Sequence, residues 1–259
     1  MSTPEVRSDV KPAVILVGSD KGGVGKTTVS RTLLAYYESK KVPTRAYDTE
    51  APRGTLKRFH PQVTEIVDIT TIPDQMRVFD TLKPSDLTLI DIRAGLLSPT
   101  LSALQDIGFI EAARKGHVTL GVFHILGPSI SSLNEIGEVA KFVSGTHYFL
   151  VKNMINNTAF FEWDPATYDG YFKKTKGAQQ VTIPHLNEMA CEQVELASVP
   201  FTTFIGNKTA GGEAASYSFV LRGYVRHWLN NVWSEYDRIK LNEVMEIPTP
   251  AAITRDRPQ

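Results

Sequence analysis

The sequence predicts one α/β domain: a single doubly wound, mostly parallel sheet with helices on both faces. Short apolar runs alternate with longer amphipathic stretches along the chain, and this order is typical of buried parallel strands joined by crossover helices. At 259 residues the chain is long enough to bury one sizeable core. We expect the domain to span residues 13–245, with flexible tails at residues 1–12 and 246–259 that are polar or contain proline.

Each element is predicted from the length and period of its apolar pattern. Continuous apolar runs predict strands at residues 13–18, 44–47, 87–90, 118–123, 147–151 and 181–183, with a weaker one at 65–69. Apolar residues at three- and four-residue spacing predict helices at residues 27–40, 72–82, 98–113, 129–143, 186–196 and 214–241. The last helix carries one apolar stripe, which we interpret as core packing rather than as a membrane-surface face.

Composition and charge narrow the classes of partner. Lys plus Arg and Asp plus Glu both number 28, so the formal net charge is zero and any DNA-binding surface is a local patch or is assembled in a dimer. No run approaches the ~18 apolar residues that cross a bilayer, and the N-terminus has no apolar signal-peptide core. The single cysteine, Cys191, leaves no disulfide or metal cluster. We expect a cytoplasmic protein.

A glycine-rich loop, KGGVGKTT at residues 21–28, stands between the first predicted strand and the first predicted helix. Its glycines lack side chains, so backbone N–H groups can approach phosphate oxygens, and the following helix directs the positive end of its dipole at the same anion. This context predicts a nucleotide-phosphate site. The expected nucleotide ligands in the loop are Lys21, Gly22, Gly23, Val24, Gly25, Lys26, Thr27 and Thr28.

Three side chains at the end of the loop have separate expected roles. Lys26 supplies a movable cation for the β- and γ-phosphates, and Thr28 can reach the α-phosphate. The Thr27 hydroxyl is placed to coordinate Mg²⁺. We therefore expect ATP and Mg²⁺ as the bound nucleotide and metal.

The loop departs from the simple GxxxxGK[ST] pattern, because Asp20 stands where that pattern has its first glycine and an additional lysine, Lys21, opens the loop. This arrangement resembles the deviant Walker A motif of the ParA/MinD family of P-loop ATPases, whose relatives include the nitrogenase iron protein and arsenical-pump ATPases. The resemblance implies that Lys21 reaches across a nucleotide-sandwich homodimer to the partner's phosphates. It covers most of the chain, with the first motif the most specific.

Two carboxylates, Asp48 and Glu50, follow the second predicted strand and precede Pro52 and Gly54. In ParA-like proteins this place carries an Asp-x-Asp pair, so the resemblance implies that one carboxylate holds a magnesium water and the other orients the attacking water. Glu for Asp is a departure, and which of the two orients the water stays open here. The expected catalytic residues are Lys21, Lys26, Asp48 and Glu50.

Later motifs complete the predicted site. Residues 87–91, a mostly apolar strand closed by Asp91, have the Walker B form, so Asp91 is expected to reach Mg²⁺ through a water. Arg93 is unusual after such a strand; it can touch the γ-phosphate, a dimer partner or, as the simplest reading, a surface acid. The resemblance further implies that Asn153 reads the adenine edge and that Pro184 belongs to an Ile-Pro loop lining the base pocket.

Three functions compete. The first is a ParA-like switch for plasmid or cargo positioning, in which ATP drives dimerisation, the dimer binds DNA nonspecifically, and a partner protein stimulates slow hydrolysis. The second is a MinD-like membrane- or scaffold-cycling ATPase; a membrane partner is not expected, because the proline-containing C-terminus lacks bulky apolar residues. The third is a P-loop metabolic ligase or kinase. The candidate DNA-binding residues are Lys173, Lys174, Lys176, Arg222 and Arg226.

Overall fold

A computed structural model describes residues 11–84, 86–154, 170–171, 175 and 177–248 of the chain. Within these residues seven strands form one sheet in the order β3-β2-β4-β1-β5-β6-β7, and every neighbouring pair is parallel. The strands are β1 (Ala13–Gly18), β2 (Thr44–Asp48), β3 (Thr64–Ile66), β4 (Leu87–Asp91), β5 (Thr119–Leu126), β6 (His147–Asn153) and β7 (Gln179–Ile183).

Helices connect the strands and follow the last one. They are α1 (Lys26–Ser39), α2 (Thr55–Phe59), α3 (Ile72–Phe79), α4 (Leu97–Asp106), α5 (Phe109–Arg114), α6 (Ile130–Val143), α7 (Glu188–Ala197), α8 (Phe201–Ile205), α9 (Phe219–Arg238) and α10 (Leu241–Val244). None of the described helices is long and apolar enough to cross a membrane.

The sheet is buried on both faces, as the continuous apolar strands predict. Successive residues of β1 point to opposite faces: Ile15 belongs to the core beneath α1 and α9, and Leu16 to the core beneath α4 and α6. Both side chains are fully buried. The predicted doubly wound sheet with helices on both faces is confirmed, and the sheet is wholly parallel among the described strands.

Several predicted boundaries differ from the observed ones. The predicted helix at 98–113 is two helices, because Gly108 adopts a left-handed φ of 76° and ends the first of them. The last long helix begins at Phe219 rather than near 214, after a loop in which the Asn207 side chain binds the backbone of Ala215 and Tyr217. The short helices α2 and α8 were not predicted, since five residues carry no readable period.

The parallel arrangement gathers the predicted site residues at one edge of the sheet. Strands β2, β4 and β6 continue to Asp48, Asp91 and Asn153, so each of these residues is the last of its strand. The glycine loop leaves β1 between β4 and β5, at the same carboxyl edge. Ligand sites in open parallel sheets lie outside this edge.

Candidate functional site

The glycine loop joins β1 to α1 through two left-handed residues. Gly23 has a φ of 72° and Gly25 a φ of 84°, a region that other residues rarely adopt. Gly25 is the N-cap of α1, and no side chain caps that helix terminus. The N–H groups of the first turn of α1 thus remain available for an anion, as the loop pattern predicts.

A cavity of about 330 Å³ lies between this loop and the ends of β2 and β4. Its lining combines backbone from the glycine loop with charged and hydroxyl side chains from three segments of the chain. The side chains that bear on the chemistry are Lys26, Thr27, Thr28, Glu50, Asp91 and Arg93. The fold therefore brings together one lysine, one arginine, two hydroxyls and two carboxylates around a space that a phosphate group can enter.

Asp91 is the most strongly perturbed carboxylate of this cavity. The Thr27 hydroxyl donates to its Oδ2 at 2.7 Å, and the Ser30 hydroxyl donates to its Oδ1 at 2.9 Å. The pKa of Asp91 is raised to about 7, chiefly by burial and also by the negative charge of Asp48, while the Thr27 hydrogen bond opposes the shift. A hydroxyl and a carboxylate side by side are oxygen donors of the kind that Mg²⁺ prefers, so the pair fits that ion.

Asp48 and Glu50 have different surroundings. Both Asp48 oxygens accept backbone hydrogen bonds: Oδ2 from Leu56 N (2.6 Å) and Lys57 N (3.1 Å), and Oδ1 from Glu50 N (2.9 Å). Asp48 is buried and caps the first turn of α2. Glu50 is exposed, lines the cavity and accepts a hydrogen bond from the Thr55 hydroxyl. Of the two carboxylates, only Glu50 is a lining residue of the cavity.

The two lysines of the loop are connected through backbone. Lys26 Nζ donates to the Lys21 carbonyl at 2.9 Å. Burial lowers the pKa of Lys26, and the charges of Asp91 and Glu50 oppose that shift. The Lys21 side chain is half-buried, and within the described residues its ammonium makes no hydrogen bond or ion pair. Among the described residues the Lys21 ammonium therefore has no partner that a ligand would need to displace.

A second cavity, of about 130 Å³, adjoins the loop at Gly23, Gly25 and Thr28 and contains both residues predicted for the base, Asn153 and Pro184. The Asn153 amide donates to the Val24 carbonyl at 2.9 Å, and the Pro184 carbonyl accepts a hydrogen bond from Trp228. One N–H of the Asn153 side chain is therefore already engaged in a hydrogen bond to the glycine loop. Cys191 also lines this cavity.

Sequence reasoning missed Arg31, which lines the same cavity from α1. Its side chain is 2% exposed, and its guanidinium carbon lies 3.4 Å from the Phe59 ring centroid and 4.2 Å from that of Phe201. One nitrogen forms an ion pair with Glu195 at 2.6 Å, and the other two have no partner among the described residues. Arg31 connects this second cavity to α2 through Phe59, and no local pattern in α1 predicts that contact.

Glu135 on α6 was also missed, and it holds the start of the glycine loop. Its Oε2 accepts hydrogen bonds from the Ser19 hydroxyl (3.2 Å) and the Asp20 N–H (3.1 Å), and it lies 3.5 Å from His124 Nε2. The Asp20 carboxylate itself accepts hydrogen bonds from the backbone N–H and hydroxyl of Ser98. Asp20 does not line the 330 Å³ cavity between the glycine loop and the ends of β2 and β4.

A solved structure shares this fold. A ParA family ATPase from Chlorobium tepidum TLS matches with a TM-score of 0.51 and 14% sequence identity, covering 86% of this chain and 99% of that chain. The chain has the fold of this ParA family ATPase. The resemblance expected from the glycine loop is thereby confirmed for the fold.

Two further structures match at lower TM-scores, and the fold assignment does not depend on them. They are a nucleotide-binding protein in complex with ADP from Archaeoglobus fulgidus (TM-score 0.48, 16% identity, 71% of this chain and 86% of that chain) and the MinD cell division protein of Aquifex aeolicus (0.45, 15%, 84% and 97%). No protein-family model matches the chain, and no curated protein sequence matches it.

Two of the five residues predicted to bind DNA, Arg222 and Arg226, are among the described residues. Lys173, Lys174 and Lys176 lie outside the described residues. On α9, Arg222 is half-buried and donates to the Ile205 carbonyl at 3.2 Å, whereas Arg226 is exposed. Arg222 is therefore partly engaged with the C-terminal end of α8, and only Arg226 of this pair is fully open to a ligand.

Proposed function

We propose that this chain is a Mg²⁺-dependent ATPase of the ParA type that acts as a nucleotide-dependent dimerisation switch. The observation that carries the proposal is the phosphate cavity, which combines the glycine-loop backbone, Lys26, the Thr27–Asp91 pair and Glu50. A strand-to-helix turn with only a structural role does not require a lysine and two carboxylates around a cavity.

Each group of the cavity has one task in hydrolysis. The loop N–H groups and Lys26 hold the β- and γ-phosphates, and Thr28 contacts the α-phosphate. Thr27 and Asp91 hold Mg²⁺, which supplies charge neutralisation on the phosphate oxygens. Glu50 orients the attacking water and accepts its proton, because its carboxylate faces the cavity and that of Asp48 is occupied by α2.

The proposed site for the nucleotide base is the second cavity, which Asn153 and Pro184 line. Adenine lies between the glycine loop and Pro184, and the Asn153 amide reads its edge with the groups that the Val24 carbonyl does not use. ATP is therefore the proposed nucleotide.

Dimerisation depends on Lys21. Its ammonium has no partner among the described residues, and in our proposal it completes charge neutralisation at the phosphates of a second copy. The ATP-bound state is then a homodimer, hydrolysis returns it to monomers, and a partner protein accelerates that slow step.

The cellular task that we propose is partition of plasmids or positioning of another cargo, with the ATP dimer binding DNA nonspecifically in the cytoplasm, at the nucleoid. Support comes from the ParA-type fold and from the exposed Arg226. The zero net charge requires that such binding use a local patch or a surface formed on dimerisation.

The ATPase is tested by nucleotide binding and phosphate release with and without Mg²⁺. We expect Mg²⁺-dependent ATP turnover by the natural sequence and loss of nucleotide binding or of turnover in Lys26→Ala. Lys83→Ala is the matched control, because Lys83 is exposed and is not a cavity residue. Absence of ATP binding by the natural sequence, or full turnover by Lys26→Ala, contradicts the proposal.

The DNA-binding step is tested with random-sequence duplex DNA across a salt series, with ATP, with ADP and without nucleotide. Binding that requires ATP and weakens steeply with salt supports phosphate-backbone contacts by the dimer. Absence of DNA binding in every state, by a protein that binds ATP normally, replaces DNA with a protein or membrane scaffold.

A further inference from the structure

We propose that Arg93 is a ligand of the ATP γ-phosphate, supplied by the same subunit that binds the nucleotide. The inference rests on the proposed ATPase function and goes beyond it, because it adds a terminal-phosphate cation that does not depend on a dimer partner. Four observations carry it: strand register, backbone anchoring, proximity to the glycine loop and the free state of the side chain.

Arg93 and Glu50 follow the ends of two neighbouring parallel strands. Asp48 and Asp91 are paired and are the last residues of β2 and β4, and Glu50 and Arg93 each come two residues after these strand ends. Both are lining residues of the phosphate cavity. The residue proposed to orient water and the arginine therefore border one cavity, beyond the ends of neighbouring strands.

Thr49 anchors the Arg93 backbone. The Arg93 N–H donates to the Thr49 hydroxyl at 2.8 Å, and Thr49 itself binds the Asp91 carbonyl through its N–H (3.0 Å) and its hydroxyl (3.1 Å). Thr49 is buried. The position of the Arg93 backbone is thus determined by the segment that lies between Asp48 and Glu50.

The turn after β4 also approaches the glycine loop. A Cβ atom added to Gly22 meets the Ala94 side chain at 3.8 Å, which is ordinary van der Waals contact. Gly95 turns the chain with a φ of 80°. Arg93 therefore begins at a point bounded by the glycine loop on one side and by the Glu50 segment on the other.

The Arg93 side chain has no competing partner among the described residues. It is exposed and makes no ion pair there within 4.0 Å. Asp68 is the acid whose pKa its charge lowers, but that influence is the weakest of the four on Asp68, after the Thr70 hydrogen bonds and desolvation. The simplest interpretation of the sequence, an ion pair with a surface acid, is therefore not observed in the described part of the chain.

Charge and geometry favour a phosphate as the ligand. A guanidinium donates two parallel hydrogen bonds to phosphate oxygens and stays charged at any physiological pH. The cavity holds the carboxylates of Glu50 and Asp91 as well as Lys26, so a nucleotide triphosphate brings further negative charge that a second cation offsets. An arginine that contacts the terminal phosphate raises the affinity for ATP but not for ADP. An arginine with only a structural role affects both affinities alike.

The test compares affinities for ADP and for a slowly hydrolysed ATP analogue, ATPγS, both with Mg²⁺. We expect Arg93→Ala to weaken ATPγS roughly ten- to a hundredfold, the loss of a charge-assisted contact, and to leave ADP affinity unchanged. Hydrolysis should fall about 10³-fold or more, as for loss of an arginine at a transferring phosphoryl group. Arg93→Lys should recover part of both. Arg77→Ala is the control, an exposed arginine paired with Glu65.

The outcomes are separable. Equal ATPγS-to-ADP preference in Arg93→Ala and the natural sequence overturns the role of Arg93 and leaves the ATPase proposal standing. Equal weakening of both nucleotides also overturns it, since the γ-phosphate is then not the contact. Failure of the natural sequence to bind either nucleotide overturns both proposals. Arg93→Gln, which keeps the length of the side chain without its charge, repeats the comparison if the alanine variant is unstable.

Discussion

The Thr27 hydroxyl donates a 2.7 Å hydrogen bond to the Asp91 carboxylate, across 64 positions of sequence. This contact joins the first turn of α1 to the end of β4, and it pairs the two side chains that we propose for Mg²⁺. Both groups offer oxygen atoms of the kind that Mg²⁺ prefers, and together they would hold the ion beside the phosphates.

The pH dependence of stability should report the burial of Asp91. Its pKa is about 7 in the folded chain against 3.8 when unperturbed. From about pH 4 to about pH 7 the folded state holds a proton that the unfolded state has lost, so this residue lowers the free energy of unfolding as pH rises. We would measure urea unfolding of Asp91→Asn and of the natural sequence in the presence of a chelator. The free energy of unfolding of Asp91→Asn, relative to that of the natural sequence, should rise from about pH 4 to about pH 7 and stay constant above that.

The comparison with Asp91→Asn is necessary because His60 titrates in the opposite sense. Burial lowers the pKa of His60 to about 3, so its contribution to stability rises with pH from about 3 to its unperturbed 6.5. His60 is common to both proteins and cancels in the difference. A difference that does not change with pH contradicts a buried, protonated Asp91.

Asp48 and Glu50 should separate into a structural and a catalytic role. Asp48→Asn weakens the cap of α2 and should lower the free energy of unfolding by about 1 kcal/mol, because an amide accepts the α2 N–H groups less well than a carboxylate. Glu50→Gln should unfold like the natural sequence, bind ATP and lose hydrolysis. Denaturant unfolding and phosphate release measure both; the reverse pattern returns the catalytic role to Asp48.

The reactivity of Cys191 can report whether a nucleotide base occupies the second cavity. It is the only cysteine of the sequence, its thiol is exposed, and it lines the cavity that contains Asn153 and Pro184. Bound ATP or ADP should slow its alkylation by a maleimide several-fold, since the base covers the thiol. The surrounding protein still desolvates this thiol in part and raises its pKa, so the reaction is best followed at mildly alkaline pH. Equal rates with and without nucleotide contradict the proposed base site.

Lys21→Ala should separate nucleotide binding from dimerisation. The Lys21 ammonium contributes no contact to its own described chain, so ATP affinity of the monomer and thermal stability should change little. Dimer formation with ATP, followed by light scattering, and turnover should both be lost, because the second cation no longer reaches the partner's phosphates. Unchanged turnover by Lys21→Ala contradicts the sandwich dimer.

Arg31 should stabilise the fold chiefly through packing. Arg31→Ala leaves a cavity between the Phe59 and Phe201 rings and should cost about 2–5 kcal/mol, the range of large-to-small core changes. Arg31→Met fills that space without burying unpaired N–H groups, and Glu195 keeps its ion pair with Arg58, so the cost should be under about 1.5 kcal/mol. Equal losses in the two variants contradict this account.

The sequence by itself determined the fold class and the phosphate loop, because both depend on local patterns. Continuous apolar runs specify strands buried on both faces, and glycines between a strand and a helix specify a loop with free N–H groups, whatever the rest of the chain does. Asp91 belongs to the same class: the apolar strand before it places its carboxylate at the sheet edge.

Only the tertiary structure decided which charged groups share a cavity. The separation of Asp48 from Glu50 depends on α2, a helix too short to show a period, and the burial of Arg31 depends on rings from α2 and α8. Glu135 meets the loop across 116 positions of sequence. Such contacts arise when the parallel strands bring distant segments to one edge of the sheet, and no spacing along the chain encodes them.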